Sequence, residues 1–184
     1  MPDSAVTAPV AVNIGRPESV EYAPYYDRYI SLVGDGNIVT TLDSQRRDTM
    51  MLLSGRSNTE GDFSYAPGKW SAKEVLGHMC DTERVFAYRA LCIARADRTP
   101  LPSFDQDGYV RSGPFAHRPL SELIEDYIAV RRASLTLFRN LDDEAWKRCG
   151  TANSNQTSVR ALAFMIAGHE LHHRKILEDK YFKR

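Results

Sequence analysis

The sequence predicts an all-α fold, a four-helix bundle with one long crossover loop. Apolar residues recur at helical spacing in four long segments, alternating strand patterns are nearly absent, and helix-start signals head three of those segments.

A short helix is expected around Tyr25–Val33, broken by Gly34-Asp35-Gly36. Ile38, Val39, Leu42, Met50, Leu52 and Leu53 then keep helical spacing from about 37 to 55. The second long helix opens after the turn Pro67-Gly68 with Ser71-Ala-Lys-Glu74, a capping box. In such a box the serine oxygen accepts one free backbone N–H and the glutamate reaches back to accept another. Val75, Leu76, Met79, Val85, Phe86, Ala90 and Ile93 supply its apolar faces up to about Ala96. The third helix starts near Pro119, a residue favoured in a first turn. It carries Leu120, Leu123, Ile124, Tyr127, Ile128, Leu135 and Phe138 to about Leu141, with one more turn at Asp142–Lys147. The last helix follows Asn153-Ser-Asn-Gln-Thr157, is capped by Thr157 or Ser158, and runs to about Tyr181. Residues 97–118 form a long connection, and loops of that length inside a compact domain are commonly functional. Asp105, Asp107 and Tyr109 make it a candidate rim for a site.

A chain of 184 residues suits one domain with a sizeable core, here residues 23–184, preceded by an extended Pro-, Ser- and Ala-containing arm over 1–22. Lys+Arg and Asp+Glu both number 24, so no basic excess points to nucleic acid or an anionic membrane surface. No run approaches the ~20 apolar residues of a membrane span. The N-terminus lacks a cationic start and a sustained apolar run, so it makes a poor signal peptide. Cys80, Cys92 and Cys149 are odd in number and lack C-x-x-C spacing. They are read as packing residues of a cytoplasmic protein rather than as a disulfide framework.

The chemistry concentrates in residues 168–177, GHELHHRKIL, where His169-Glu170-Leu171-His172-His173 matches H-E-x-x-H. Leu162, Ile166, His169, His173 and Ile176 follow 4-3-4-3 spacing, the inward stripe of a bundle helix. His172 falls in another row, with Met165, Gly168 and Asp179, and reads as peripheral. Two imidazoles on a core stripe need partners, because a buried unpaired polar group costs about 1–3 kcal/mol. They can hydrogen-bond each other and a carboxylate, or converge on one metal ion; the i,i+4 spacing is better explained by the metal. A third ligand would come from His78 on the second long helix or His117 in the connection, and the helical residue is the better fixed. A zinc peptidase is not expected. Such an enzyme needs a downstream ligand and a sheet, and the extended motif's glycine and histidine are replaced here by Ile176 and Asp179. Glu170 then either supports a ligand or faces solvent. Asp81, one turn after His78, is either a ligand-orienting acid or a surface acid. Gln45 and Arg131 interrupt apolar stripes and are read as bundle-rim residues that can line a pocket. Trp70 and Trp146 are read as packing residues near helix ends.

The chain resembles the DinB/YfiT-like superfamily of four-helix-bundle metalloproteins over roughly residues 25–182. The resemblance rests on Gly68-Lys-Trp-Ser-Ala-Lys-Glu-Val-Leu-Gly-His78, followed by Asp81, Glu83 and Arg89; on Pro100-Leu-Pro-Ser-Phe-Asp105; and on Val159-Arg-Ala-Leu through Ala167-Gly-His-Glu-Leu-His-His173. It implies one divalent metal ion held at one end of the bundle by His78, His169 and His173, with zinc, nickel and iron all open. It implies a homodimer in many members. It also implies a small-molecule substrate, since some relatives transfer groups to low-molecular-weight thiols such as bacillithiol, mycothiol or glutathione. A related domain forms part of ergothioneine-synthesising enzymes, whose second catalytic domain is missing here. The expectation is a metal-dependent thiol S-transferase or hydrolase, with a non-catalytic metal-binding, sensor or stress-response module as the alternative.

Overall fold

The computed structural model describes residues 14–183. Single turns at Ser19–Glu21, Pro24–Tyr26 and α1 (Asp27–Ile30) precede α2 (Ile38–Leu53). The short α3 (Asn58–Asp62) leads to α4 (Ala72–Ala94), and α5 (Gln106–Ser112) lies within the crossover before α6 (Leu120–Arg139). Next come α7 (Asp143–Lys147), a hairpin of β1 (Cys149–Ala152) and β2 (Asn155–Ser158), and α8 (Val159–Ile176), which ends in a π-helical turn at Leu177–Tyr181.

Side chains set the helix starts. Asn37 Oδ1 accepts from Val39 and Thr40 at the head of α2, and the Ser71/Glu74 capping box forms at the head of α4. Ser158, not Thr157, caps α8 by accepting from Ala161 N. Pro119 is the N-cap of α6 rather than part of its first turn. Asp142 caps α7, which makes that turn a separate helix.

Each long helix packs on two others. Gln45 meets Ala167 and Thr49 meets Glu170, so α2 and α8 ascend together. His78 faces His173 while Phe86 faces His169, so α4 runs against α8. Arg84 pairs with Asp126, and farther along Leu91 and Leu137 line one groove, so α4 and α6 are parallel. Asp43 lies near Arg139 while Asn58, beyond the other end of α2, binds Leu120 N, so α2 and α6 are antiparallel. The chain therefore runs up, down, down, up, with α2 diagonal to α4 and α6 diagonal to α8. A parallel α4–α6 pair requires the intervening chain to climb about 30 Å, the length of a 20-residue helix. That is the physical reason for the long crossover.

Two expectations need correction. The connection 97–118 is not structureless: it holds α5 and a 3-10 turn at Phe115–His117. The strands β1 and β2 were not anticipated. Asn153 and Ser154, at φ 50° and 60°, form the left-handed pair that a two-residue hairpin turn requires. Leu101 bridges to the tip of this hairpin, tying the crossover to it. Residues 1–13 of the expected arm lie outside the described residues. From residue 14 onward the chain lies on the domain: Arg16 donates to Ile30 O at 2.9 Å and Glu21 pairs with Arg160. No helix among the described residues is long and apolar enough to cross a membrane.

The core has two apolar parts, one around Leu42, Phe86, Leu135 and Ile166, the other around Leu53, Leu76, Tyr127 and Leu177. Between them lies a buried polar layer of Gln45, Thr49, His78, Thr82, Glu83, Arg131, His169, Glu170 and His173. On α8, Gly168 lets α1 approach; a Cβ there would lie 2.0 Å from Tyr29 O. We predict that Gly168→Ala destabilises the protein by at least about 1–3 kcal/mol, the usual cost of overpacking, because a backbone atom cannot step aside. A urea midpoint unchanged from wild type would contradict this close approach.

Candidate metal centre

His78 stands in the second turn of α4, and His169 and His173 stand one turn apart on α8. One ring nitrogen from each lies within 4.8 Å of the others. The closest pair, His78 Nε2 and His169 Nε2, are 3.0 Å apart. The Thr82 hydroxyl lies 3.4 Å from His78 Nδ1, and the Trp70 ring lies tilted against the His78 ring with centroids 4.8 Å apart.

Burial holds all three imidazoles neutral. It pushes His78 down to about 4, with the nearby charge of His172 adding to the shift. Burial, then the neighbouring histidines, carries His169 and His173 well below the ordinary histidine range. At most one proton fits between the two Nε2 atoms at 3.0 Å, and buried His173 Nδ1 has no hydrogen-bond partner. Neutral, convergent nitrogens with an unsatisfied member form a donor set that fits a divalent cation.

One side of the triad opens on a cleft of about 260 Å³ lined by Tyr65, Lys69, Trp70, Asp107, His173 and Tyr181, among others. Asp107 brings the crossover to this rim. Asp105 instead caps α5, and exposed Tyr109 packs on Phe104. Tyr181 donates to Trp70 O at 2.6 Å and closes the far wall.

Behind His169 lies a buried ionic cluster, and the two share a space of about 10 Å³, at the lower limit for holding one water. Arg131, 1% exposed, donates to both oxygens of Glu83 at 2.8 Å and to Leu42 O at 3.0 Å. Its Nη2 also stands 2.5 Å from Glu170 Oε2, a charge contact off the hydrogen-bonding direction that leaves this oxygen with no hydrogen-bond donor. Thr49 and Tyr127 each donate to Glu170 Oε1 at 2.6 Å. Burial opposes the charge on Arg131, yet Glu83 and Glu170 hold the guanidinium well above its ordinary range. Burial and Glu170 raise Tyr127, so it remains a donor.

These positions decide the open readings. Gln45 and Arg131 are core residues, not rim residues; Gln45 Nε2 donates to Ala167 O at 3.1 Å. An interrupted apolar stripe looks the same in sequence either way, and here the partners come from distant helices. Glu170 supports the interior and is shielded from solvent. Asp81 pairs with Arg84 on the outer face of α4. His117 is exposed in the crossover, and His172 sits half-buried between the Tyr29 and His173 rings, outside the triad. Trp146 packs on Phe138, whereas Trp70 belongs to the site. Cys80 is buried, Cys92 half-buried and Cys149 exposed.

A family model described as the DinB superfamily matches residues 41–177. Among solved structures, that of YfiT from Bacillus subtilis aligns with 16% identity and a TM-score of 0.67, covering 88% of this chain and 92% of that one. It is described as a probable metal-dependent hydrolase with an unusual four-helix bundle topology. No curated protein matches this chain.

Two predictions follow from the buried groups. Arg131→Met leaves Glu83 and Glu170 buried without their cation and is expected to cost about 3–5 kcal/mol; a urea titration checks it. The second concerns pH in metal-free protein. The triad histidines have folded pKa values depressed below the unfolded ~6.5, so the unfolded chain binds more protons in between. Their contribution is complete above ~6.5 and is lost as pH falls, with the His78 share gone once pH passes its folded value of about 4. The thermal midpoint should drop across that window, and His78→Gln should flatten the drop. An equal slope in the variant would contradict a neutral buried His78.

Proposed function

This chain belongs to the DinB superfamily, and we propose that it is a metal-dependent enzyme whose His78, His169 and His173 hold one divalent ion. The observation that carries this reading is the buried, neutral histidine triad with His173 lining an open cleft. A divalent ion in such a site lowers the pKa of an arriving thiol or water and so supplies a nucleophile at neutral pH. Three nitrogen donors are compatible with zinc, nickel or iron.

The chain's own residues supply the setting. Trp70 packs on the His78 ring and Thr82 contacts its Nδ1. The Arg131 cluster locks α4, α6 and α8 against one another, so histidines from two helices meet. Tyr65 and Tyr181 meet edge to face at 5.2 Å and wall the cleft. The cleft suits a small molecule and argues against a closed structural site, which would use a fourth protein ligand. Among the described residues the metal-ligating group contains only the three histidines.

Within this reading, transfer to a low-molecular-weight thiol is our first assignment, following the resemblance of the His78 and His169–His173 stretches. Hydrolysis is the second, supported by the description of YfiT as a probable metal-dependent hydrolase. A non-catalytic sensor is disfavoured by the open cleft.

Metal analysis of the purified protein should find about one divalent ion per chain. Single alanine substitutions at His78, His169 or His173 should release it or weaken binding strongly, while His172→Ala and His117→Ala should retain it. Loss in His172→Ala with retention in His169→Ala would overturn the ligand assignment. A screen of electrophiles with thiols, and of esters and amides with water, each with and without the restored metal, separates transfer from hydrolysis. Absence of turnover in both arms with the metal bound would favour the sensor.

A further inference from the structure

The cleft beside His173 carries two opposite charges that do not neutralise each other. Lys69 comes from the turn ahead of α4 and Asp107 from α5, and both line the same cleft of about 260 Å³. Nearby charges are paired: Lys73 binds Asp62 at 2.8 Å, and Arg111 lies 3.6 Å from Asp105. Lys69 and Asp107 are both exposed, and among the described residues neither makes a side-chain hydrogen bond or an ion pair. A cation and an anion left free on one small cleft, one on each of two separate elements, are complementary to a ligand that bears both charges.

We infer that this cleft selects a small zwitterionic thiol of the amino-acid type. Lys69 takes the carboxylate, Asp107 takes the ammonium, and the sulfur points to the triad beside His173. The aromatic walls of Tyr65, Trp70 and Tyr181 pack on the aliphatic part. This inference rests on the thiol reading proposed above and adds the chemistry by which the thiol is chosen. Both residues lie near the rim, where a single ion pair is weak, so each charge should change affinity by about fivefold rather than by orders of magnitude.

The test is calorimetric titration of zinc-loaded full-length protein with three thiols of equal chain length. L-Homocysteine has both charges, aminopropanethiol lacks the carboxylate, and mercaptobutyrate lacks the ammonium. Lys69→Met and Asp107→Asn should each weaken L-homocysteine about fivefold relative to wild type. Lys69→Met should weaken L-homocysteine and mercaptobutyrate but not aminopropanethiol. Asp107→Asn should weaken L-homocysteine and aminopropanethiol but not mercaptobutyrate. Comparing each variant with wild type on one thiol cancels the thiol's intrinsic affinity for zinc, and metal content and thermal midpoint report whether a variant is folded. Unchanged L-homocysteine binding in either variant, or uniform weakening of all three thiols by either variant, would overturn the inference and leave the thiol reading standing. No binding of any thiol would overturn both.

Discussion

Inside the bundle, Arg131 pairs with Glu83 and Glu170 and so ties the long helices together. The three residues are 1%, 4% and 2% exposed. Charges this deep are costly unless their remaining hydrogen-bonding capacity is met. Arg131 meets both Glu83 oxygens and the Leu42 carbonyl, while Tyr127 and Thr49 serve Glu170. All four long helices are thereby drawn to one point. Apolar side chains tolerate small slips between helices, whereas a guanidinium held by partners on three other helices does not. The cluster accordingly sets the relative height of α4 and α8, on which the meeting of His78 with His169 and His173 depends.

The triad is the second consequence of this layer. The interior that keeps Arg131 charged keeps the histidines uncharged, because the guanidinium has carboxylates beside it and the imidazoles have one another. Neutral rings present lone pairs, the form a metal requires. The layer is closed on the Arg131 side and open on the His173 side, where the turn before α4, the crossover helix and the last turn of the chain form the cleft. The up-down-down-up order brings those three segments to one end of the bundle. The crossover, long because it must return the chain along a parallel pair, also delivers Asp107 to the rim.

Much of the fold was legible because it is local. The Ser71/Glu74 box, the apolar stripes and the break at Gly34–Gly36 are relations between residues a few positions apart, and each has one physical outcome. The hairpin at 149–158 escaped notice because its strands are four residues each and its turn is Asn153-Ser154, without the glycine that usually advertises left-handed backbone. The inward placement of His169 and His173 was also readable, since 4-3-4-3 spacing follows from helix geometry alone.

Which residues form helices, and which faces of those helices carry the histidines, can be read from the chain alone, because both follow from short-range sterics and periodicity. How those faces meet depends on packing between helices far apart in the chain. Gln45 and Arg131 look like rim residues until Ala167, Glu83 and Glu170 arrive from other helices, and Trp70 looks like packing until its ring is found on His78. His78 joins histidines 91 or more positions away. Helix periodicity is indifferent to such distances, and here they are closed by burial of the apolar stripes and by a buried ion pair whose partners lie on different helices.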